Sequence, residues 1–183
     1  MNHRFAALSL LLASGGLLSA CGGMSMGMGM GKPGATASLV PTAAISPNPT
    51  VGNVSFTALE HGVRVAGEVR GLPPNTEHGF HIHEKGDCGN NGNAAGGHFN
   101  PAGGAHGKYA ASASHAGDLP SLVADGGGVA RFSVDVHAIS LKDGAVNNVI
   151  GRGLVVHRDR DDFTSQPAGN SGPRVACAVI TRS

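Results

Sequence analysis

The chain has 183 residues, a formal net charge of +1 at pH 7, 14% charged residues and no tryptophan. With no basic cluster it lacks the electrostatic footprint of a nucleic-acid binder, so no nucleic acid is expected as partner. Thirty glycines and ten prolines, with few segments of helical period, favour an all-β domain.

Met1 to Cys21 reads MNHRFAALSLLLASGGLLSAC: Arg4, an apolar run from Phe5 to Leu18, then small residues before a cysteine. The run falls short of the roughly 20 residues that cross a bilayer, so residues 1–20 read as a signal peptide. Leu18-Ser19-Ala20-Cys21 resembles the bacterial lipobox, in which the cysteine receives lipid and becomes the mature N-terminus. That makes Cys21 the expected membrane attachment and puts the chain in the bacterial cell envelope, facing the periplasm or the exterior. Residues 21–50 then hold a tether and a first strand region, ahead of a domain over residues 51–183. The tether GGMSMGMGMGKPG is low in complexity and cannot bury a core. Its thioethers, Met24, Met26, Met28 and Met30, suit Cu(I), although an unstructured spacer is the plainer reading. With Cys21 modified, Cys88 and Cys177 are the remaining cysteines. An even pair in an exported chain is expected to be bridged.

Short runs rich in β-branched residues, several alternating, follow at Val51 to Leu59, Val63 to Leu72, Phe80 to Glu84, Val129 to Val136, Gly153 to Val156 and Val175 to Ile180. Ala35 to Val40 and Ser121 to Ala124 are weaker candidates, and Asp125-Gly126-Gly127-Gly128 has the composition of a hairpin turn. Seven or eight antiparallel strands predict a sandwich or Greek-key barrel. Between the strands, Lys85 to Asp118 and Arg158 to Pro173 carry no sustained pattern, and loops of such length in a compact domain are usually functional or disordered. The first is too poor in apolar residues to order itself by burial. A metal held by several of its side chains could supply that ordering.

The histidines point the same way. In the strand Phe80-His81-Ile82-His83, two-residue alternation turns His81 and His83 to one face and Phe80 and Ile82 to the other. His78 has core parity and reads as a hydrogen-bonded structural histidine. His98, His106, His115 and Asp118 are spread along the first long loop, and His157 ends a later strand. His61 in a turn and His137 after a strand read as surface residues. Six imidazoles with one carboxylate and no thiolate suit zinc and copper, whereas calcium or magnesium demands more oxygens.

HGFHIHEKGDC, GGHFNPAGGAHG, HAGDL, GRGLVVH and RVACAVI, in this order, resemble the Cu/Zn superoxide dismutases, here in a bacterial exported lipoprotein form; the likeness runs from about Val51 to Thr181. It implies an eight-stranded antiparallel Greek-key β-barrel, a flattened sandwich, with two long functional loops. It also implies copper, cycling between Cu(2+) and Cu(+), on His81, His83, His98 and His157, and Zn(2+) on His98, His106, His115 and Asp118, with His98 bridging the two ions and later supplying a proton. Cys88 and Cys177 match the family's disulfide, Arg174 the arginine that docks the superoxide anion, and Asp161 the carboxylate linking a copper ligand to a zinc ligand. The implied activity is dismutation of superoxide to dioxygen and hydrogen peroxide, protecting the cell envelope. The alternative is a copper-binding or copper-storage lipoprotein with a dismutase-like domain. A zinc hydrolase fits less well, because no glutamate stands beside an open zinc position as general base. Bacterial members occur as monomers and as dimers, so monomer and homodimer both stay open. Arg158-Asp159-Arg160 and Pro173 depart from the animal forms in the loop that shapes the field at the site.

Overall fold

In the computed structural model, Met1 and residues 33–42, 49–111 and 113–183 are described. Residues 2–32, which hold nearly all of the expected signal peptide, Cys21 and the methionines of the expected tether, lie outside them. Among the described residues ten strands follow in chain order: β1 Ala35–Pro41, β2 Val51–Ala58, β3 Val63–Arg70, β4 Glu77–His78, β5 Phe80–His83, β6 Leu122–Val123, β7 Val129–Val136, β8 Gly153–His157, β9 Arg174–Val179 and β10 Thr181–Arg182. Among the described residues no helix is long and apolar enough to cross a membrane.

The sheet runs β5-β8-β9-β1-β2-β3-β7, with β10 pairing β1 and every named pairing antiparallel. Its ends are handed to each other by the small β4-β6 pair. Only Gly79 separates β4 from β5, and the predicted Asp125–Gly128 turn joins β6 to β7, with Asp125 N–H donating to Val129 O. The sheet thereby curls into the expected all-β, Greek-key-like barrel.

Alternation decides which side faces in. Along β2 and β3, Val54, Phe56, Val63, Val65 and Val69 are buried, while Asn53, Ser55, Arg64 and Glu68 lie between them. They join Phe80, Ile82, Leu119, Leu122, Ile139, Leu154 and Ile180 in one core, where each fully buried large apolar side chain contributes about 1.5–3 kcal/mol. The predicted strands appear within a residue or two of their expected bounds. The expected Phe80 to Glu84 strand has a short forerunner in β4, and the Val175 to Ile180 strand begins one residue earlier, at Arg174.

Two local features position the site. β5 pairs β8 along one edge; along the other it is met by loop rather than strand, with Ile82 N–H donating to Gly117 O, Phe99 N–H to Ile82 O and Glu84 N–H to Gly97 O. The loop thus lines the free margin of β5, and all four β5 residues are buried. At the end of β8 the register with β9 slips between Val156 and His157, so that Val156 faces Ala176 but His157 faces Arg174. Such a bulge re-aims a side chain beside a functional site.

Candidate metal centre

The first donor set is His81, His83, His98 and His157; the second is His98, His106, His115 and Asp118. Within each set one donor atom per residue lies within 4.8 Å of the others, all members are buried, and His98 belongs to both. These are the two sets expected from the sequence, brought together from β5, β8 and the loop between β5 and β6.

Hydrogen bonds show which nitrogen of the His81, His83 and His157 rings is free to bind an ion. His81 Nε2 pairs with Asp161 Oδ2 at 2.7 Å, leaving Nδ1 for the first set. His83 Nδ1 meets Gly96 O at 2.9 Å and His157 Nδ1 meets Gly172 O at 3.1 Å, and their Nε2 atoms face each other at 3.4 Å. On the second side, Asp118 Oδ1 is 2.8 Å from His98 Nδ1, 3.0 Å from His106 Nδ1 and 3.3 Å from His115 Nδ1. Asp161 Oδ1 also reaches His106 Nε2 at 2.9 Å, so one carboxylate spans a histidine of each set. A histidine that binds metal is generally oriented by such a partner on its other nitrogen.

Among the described residues three buried side-chain nitrogens make no hydrogen bond: His81 Nδ1, His98 Nε2 and His115 Nδ1, the last only in looser contact with Asp118. An unpaired buried polar atom costs about 1–3 kcal/mol, and these three point among the donors of the two sets. Bonding to ions removes that cost, so the residues fit metal. Four imidazoles suit copper, and three imidazoles with one carboxylate suit tetrahedral zinc.

The electrostatics agree. Burial, reinforced by neighbouring imidazoles, holds His81 and His83 well below the usual histidine range, and burial brings His157 down to about 4. Burial lowers His115 as well. At neutral pH these rings are uncharged, the form that binds metal. For Asp118 burial alone would raise the pKa, but the hydrogen bond from His98 and the fields of His106 and His98 outweigh it, and the carboxyl lies below its usual value.

A cavity of about 270 Å³ reaches His157 of the first set and is lined also by Arg174, Asn93 and Asn170. Arg174 donates from Nη1 to Gly92 O and from Nη2 to Gly96 O, both at 2.6 Å. The loop supplying those carbonyls contains a 3-10 turn at Asn93–Ala95 and is tied to β9 by the expected Cys88–Cys177 disulfide.

Residues 50–180 match the family described as copper/zinc superoxide dismutase. The chain belongs to that family. It is 40% identical over 147 residues to a Cu-Zn superoxide dismutase of Paramecium bursaria Chlorella virus 1, covering 77% of this chain and 78% of the relative. To a second such enzyme, of Aquifex aeolicus (strain VF5), it is 41% identical over 134 residues, 71% of this chain and 78% of the relative. An extracellular superoxide dismutase of Haemonchus contortus is 43% identical over 141 residues, 74% of this chain and 75% of the relative. Among solved structures, the clock protein EA4 superposes with a TM-score of 0.72 at 36% identity, covering 86% of this chain and 100% of that one. A double mutant of a SOD-like protein from Bacillus subtilis gives 0.71 at 32% identity, covering 80% and 96%. The two donor sets match the copper and zinc sites of the family.

The remaining described histidines, His61, His78 and His137, behave as read from the sequence. His78 is buried and bonded through Nε2 to Thr76 Oγ1 at 2.7 Å and through Nδ1 to His157 O at 3.0 Å. His61 and His137 are exposed. Sequence reading missed Gln166, whose carboxamide meets the backbone of His106 on both sides. A neutral amide in a patternless loop gives no local signal for that role.

Proposed function

We propose that the protein dismutates superoxide: two superoxide anions and two protons give one dioxygen and one hydrogen peroxide. The observation that carries this reading is His98, buried and common to both donor sets, with His157 of the first set lining a cavity that also holds an arginine. Copper on His81, His83, His98 and His157 would supply one-electron redox chemistry, which zinc on the second set cannot. Arg174 gives the anionic substrate a cationic seat; burial lowers its pKa, yet a guanidinium stays protonated. Asp161 fixes the tautomers of His81 and His106 at once. His98 Nε2 faces the first set and is the atom suited to hold a proton and pass it to the substrate oxygen that becomes peroxide. The buried histidines and the overlying loops keep bulk water from the donors.

The extended proposal is a lipoprotein anchored through Cys21 in the bacterial cell envelope, guarding it against superoxide from outside; extracellular relatives support the export alone, and the anchor rests on the lipobox-like Leu18-Ser19-Ala20-Cys21. Purified protein loaded with both metals is expected to hold about one copper and one zinc per chain and to consume superoxide. Zinc uptake with no copper under full metal supply would overturn the dismutase reading. Both metals held without turnover would favour copper storage.

A further inference from the structure

We propose that Gln166 is a positioning residue for the zinc-side histidine His106, setting how tightly the second donor set holds its ion. The inference rests on the reading of that set as a zinc site. His106 lies in a stretch with no strand neighbour. Its N–H donates to Gln166 Oε1 at 2.9 Å, and its carbonyl accepts from Gln166 Nε2 at 2.9 Å. One side chain from a loop 60 residues away therefore does for His106 what a neighbouring strand does for a sheet residue.

The rest of the loop turns this contact into a bracket. Asp161 holds the His106 ring at Nε2, while Gln166 holds its backbone. Gly169 packs against the joint: a Cβ there would stand 1.9 Å from Asp161 Oδ1 and 2.5 Å from His106 Nε2, and its φ is +63°. A ring hydrogen bond alone sets the direction of the imidazole but lets the chain beneath it shift. With the backbone fixed as well, His106 Nδ1 has one position relative to Asp118 Oδ1, 3.0 Å away. Gln166 and Arg174 both line the mouth cavity, so the piece of chain that grips the zinc-side ligand also shapes the substrate entrance.

The test is zinc affinity by chelator competition on the full-length protein, comparing wild type, Gln166→Ala, Gln166→Glu and Asn170→Gly. Gln166→Ala is expected to weaken zinc binding about tenfold, at the low end of what removing a ligand-orienting partner costs. Gln166→Glu is expected to weaken it too, because a carboxylate can accept from His106 N–H but cannot donate to His106 O. Asn170→Gly loosens the same loop, deleting the bonds to Asp162 and Ser165 while tolerating the φ of 51°; it is expected to leave zinc affinity within about twofold of wild type. Cobalt(II) in the zinc site gives a second readout, its visible absorption changing in Gln166→Ala and holding in Asn170→Gly. Equal zinc affinity in wild type and Gln166→Ala, wild-type affinity in Gln166→Glu, or a matching loss in Asn170→Gly would each overturn the role of Gln166. A wild-type protein that took up no zinc would overturn the reading of the donor set itself.

Discussion

Arg174 has five N–H donors and gives two of them to Gly92 O and Gly96 O, which leaves it oriented, charged and still able to bind an anion. It belongs to neither donor set, so Arg174→Ala is expected to keep both metals and the fold. A charge-assisted hydrogen bond is worth about 1.5–3 kcal/mol, so activity per bound copper should drop by about 10- to 100-fold. The loss should be greatest at low salt, since added ions screen a steering charge over about 8 Å at physiological strength. Superoxide turnover per copper, measured at low and high ionic strength, decides this; identical values for variant and wild type at both would remove Arg174 from the mechanism. The donors themselves were legible in the sequence, because imidazoles are rare enough for their spacing to speak and strand parity put His81 and His83 on one face. Which nitrogen each ring offers was not legible, since that depends on Gly96 O, Gly172 O and Asp161, contributed from distant parts of the chain.

Between elements, the disulfide joins the loop that orients Arg174 to β9, the strand that carries Arg174, across a sequence separation of 89 residues. Closing a loop of that length stabilises the fold by about 4–5 kcal/mol in the chain-entropy model. The double variant Cys88→Ala/Cys177→Ala is therefore expected to melt about 10 °C lower or more, read by calorimetry. It should also lose activity in the folded state, because the Gly92 and Gly96 carbonyls are no longer fixed beside the arginine; a full-activity variant with a lowered melting point would confine the bridge to stability. The main strands were legible because their valines and phenylalanines alternate. Two-residue strands such as β4 and β6 hold too few residues to alternate, and the register slip at His157 is a property of the β8–β9 pair that the sequence of one strand does not display. The Lys85 to Asp118 loop could be foreseen as dependent on metal but not as the cover of β5, because its contacts there are made by backbone groups of Gly97, Phe99 and Gly117, which carry no sequence signature.

For the whole molecule, one anchor is proposed at the N-terminus. Each buried acyl CH₂ contributes about 0.8 kcal/mol and two or more chains hold a protein stably at a membrane. Cys21→Ser is thus expected to move the protein from the membrane to the soluble fraction, with specific activity unchanged; unaltered fractionation would count against lipid on Cys21. At one end of the sheet the outer margin of β5 is guarded by loop rather than strand, and that loop carries the second donor set. Its few apolar side chains give it little reason to stay once ions no longer hold it. The N–H of Ile82 and of Glu84 and the carbonyl of Ile82 then become a template onto which another chain can add a strand. Solubility should in this way follow mineral supply: metal-stripped protein is expected to aggregate faster than the loaded form, read by light scattering with and without chelator.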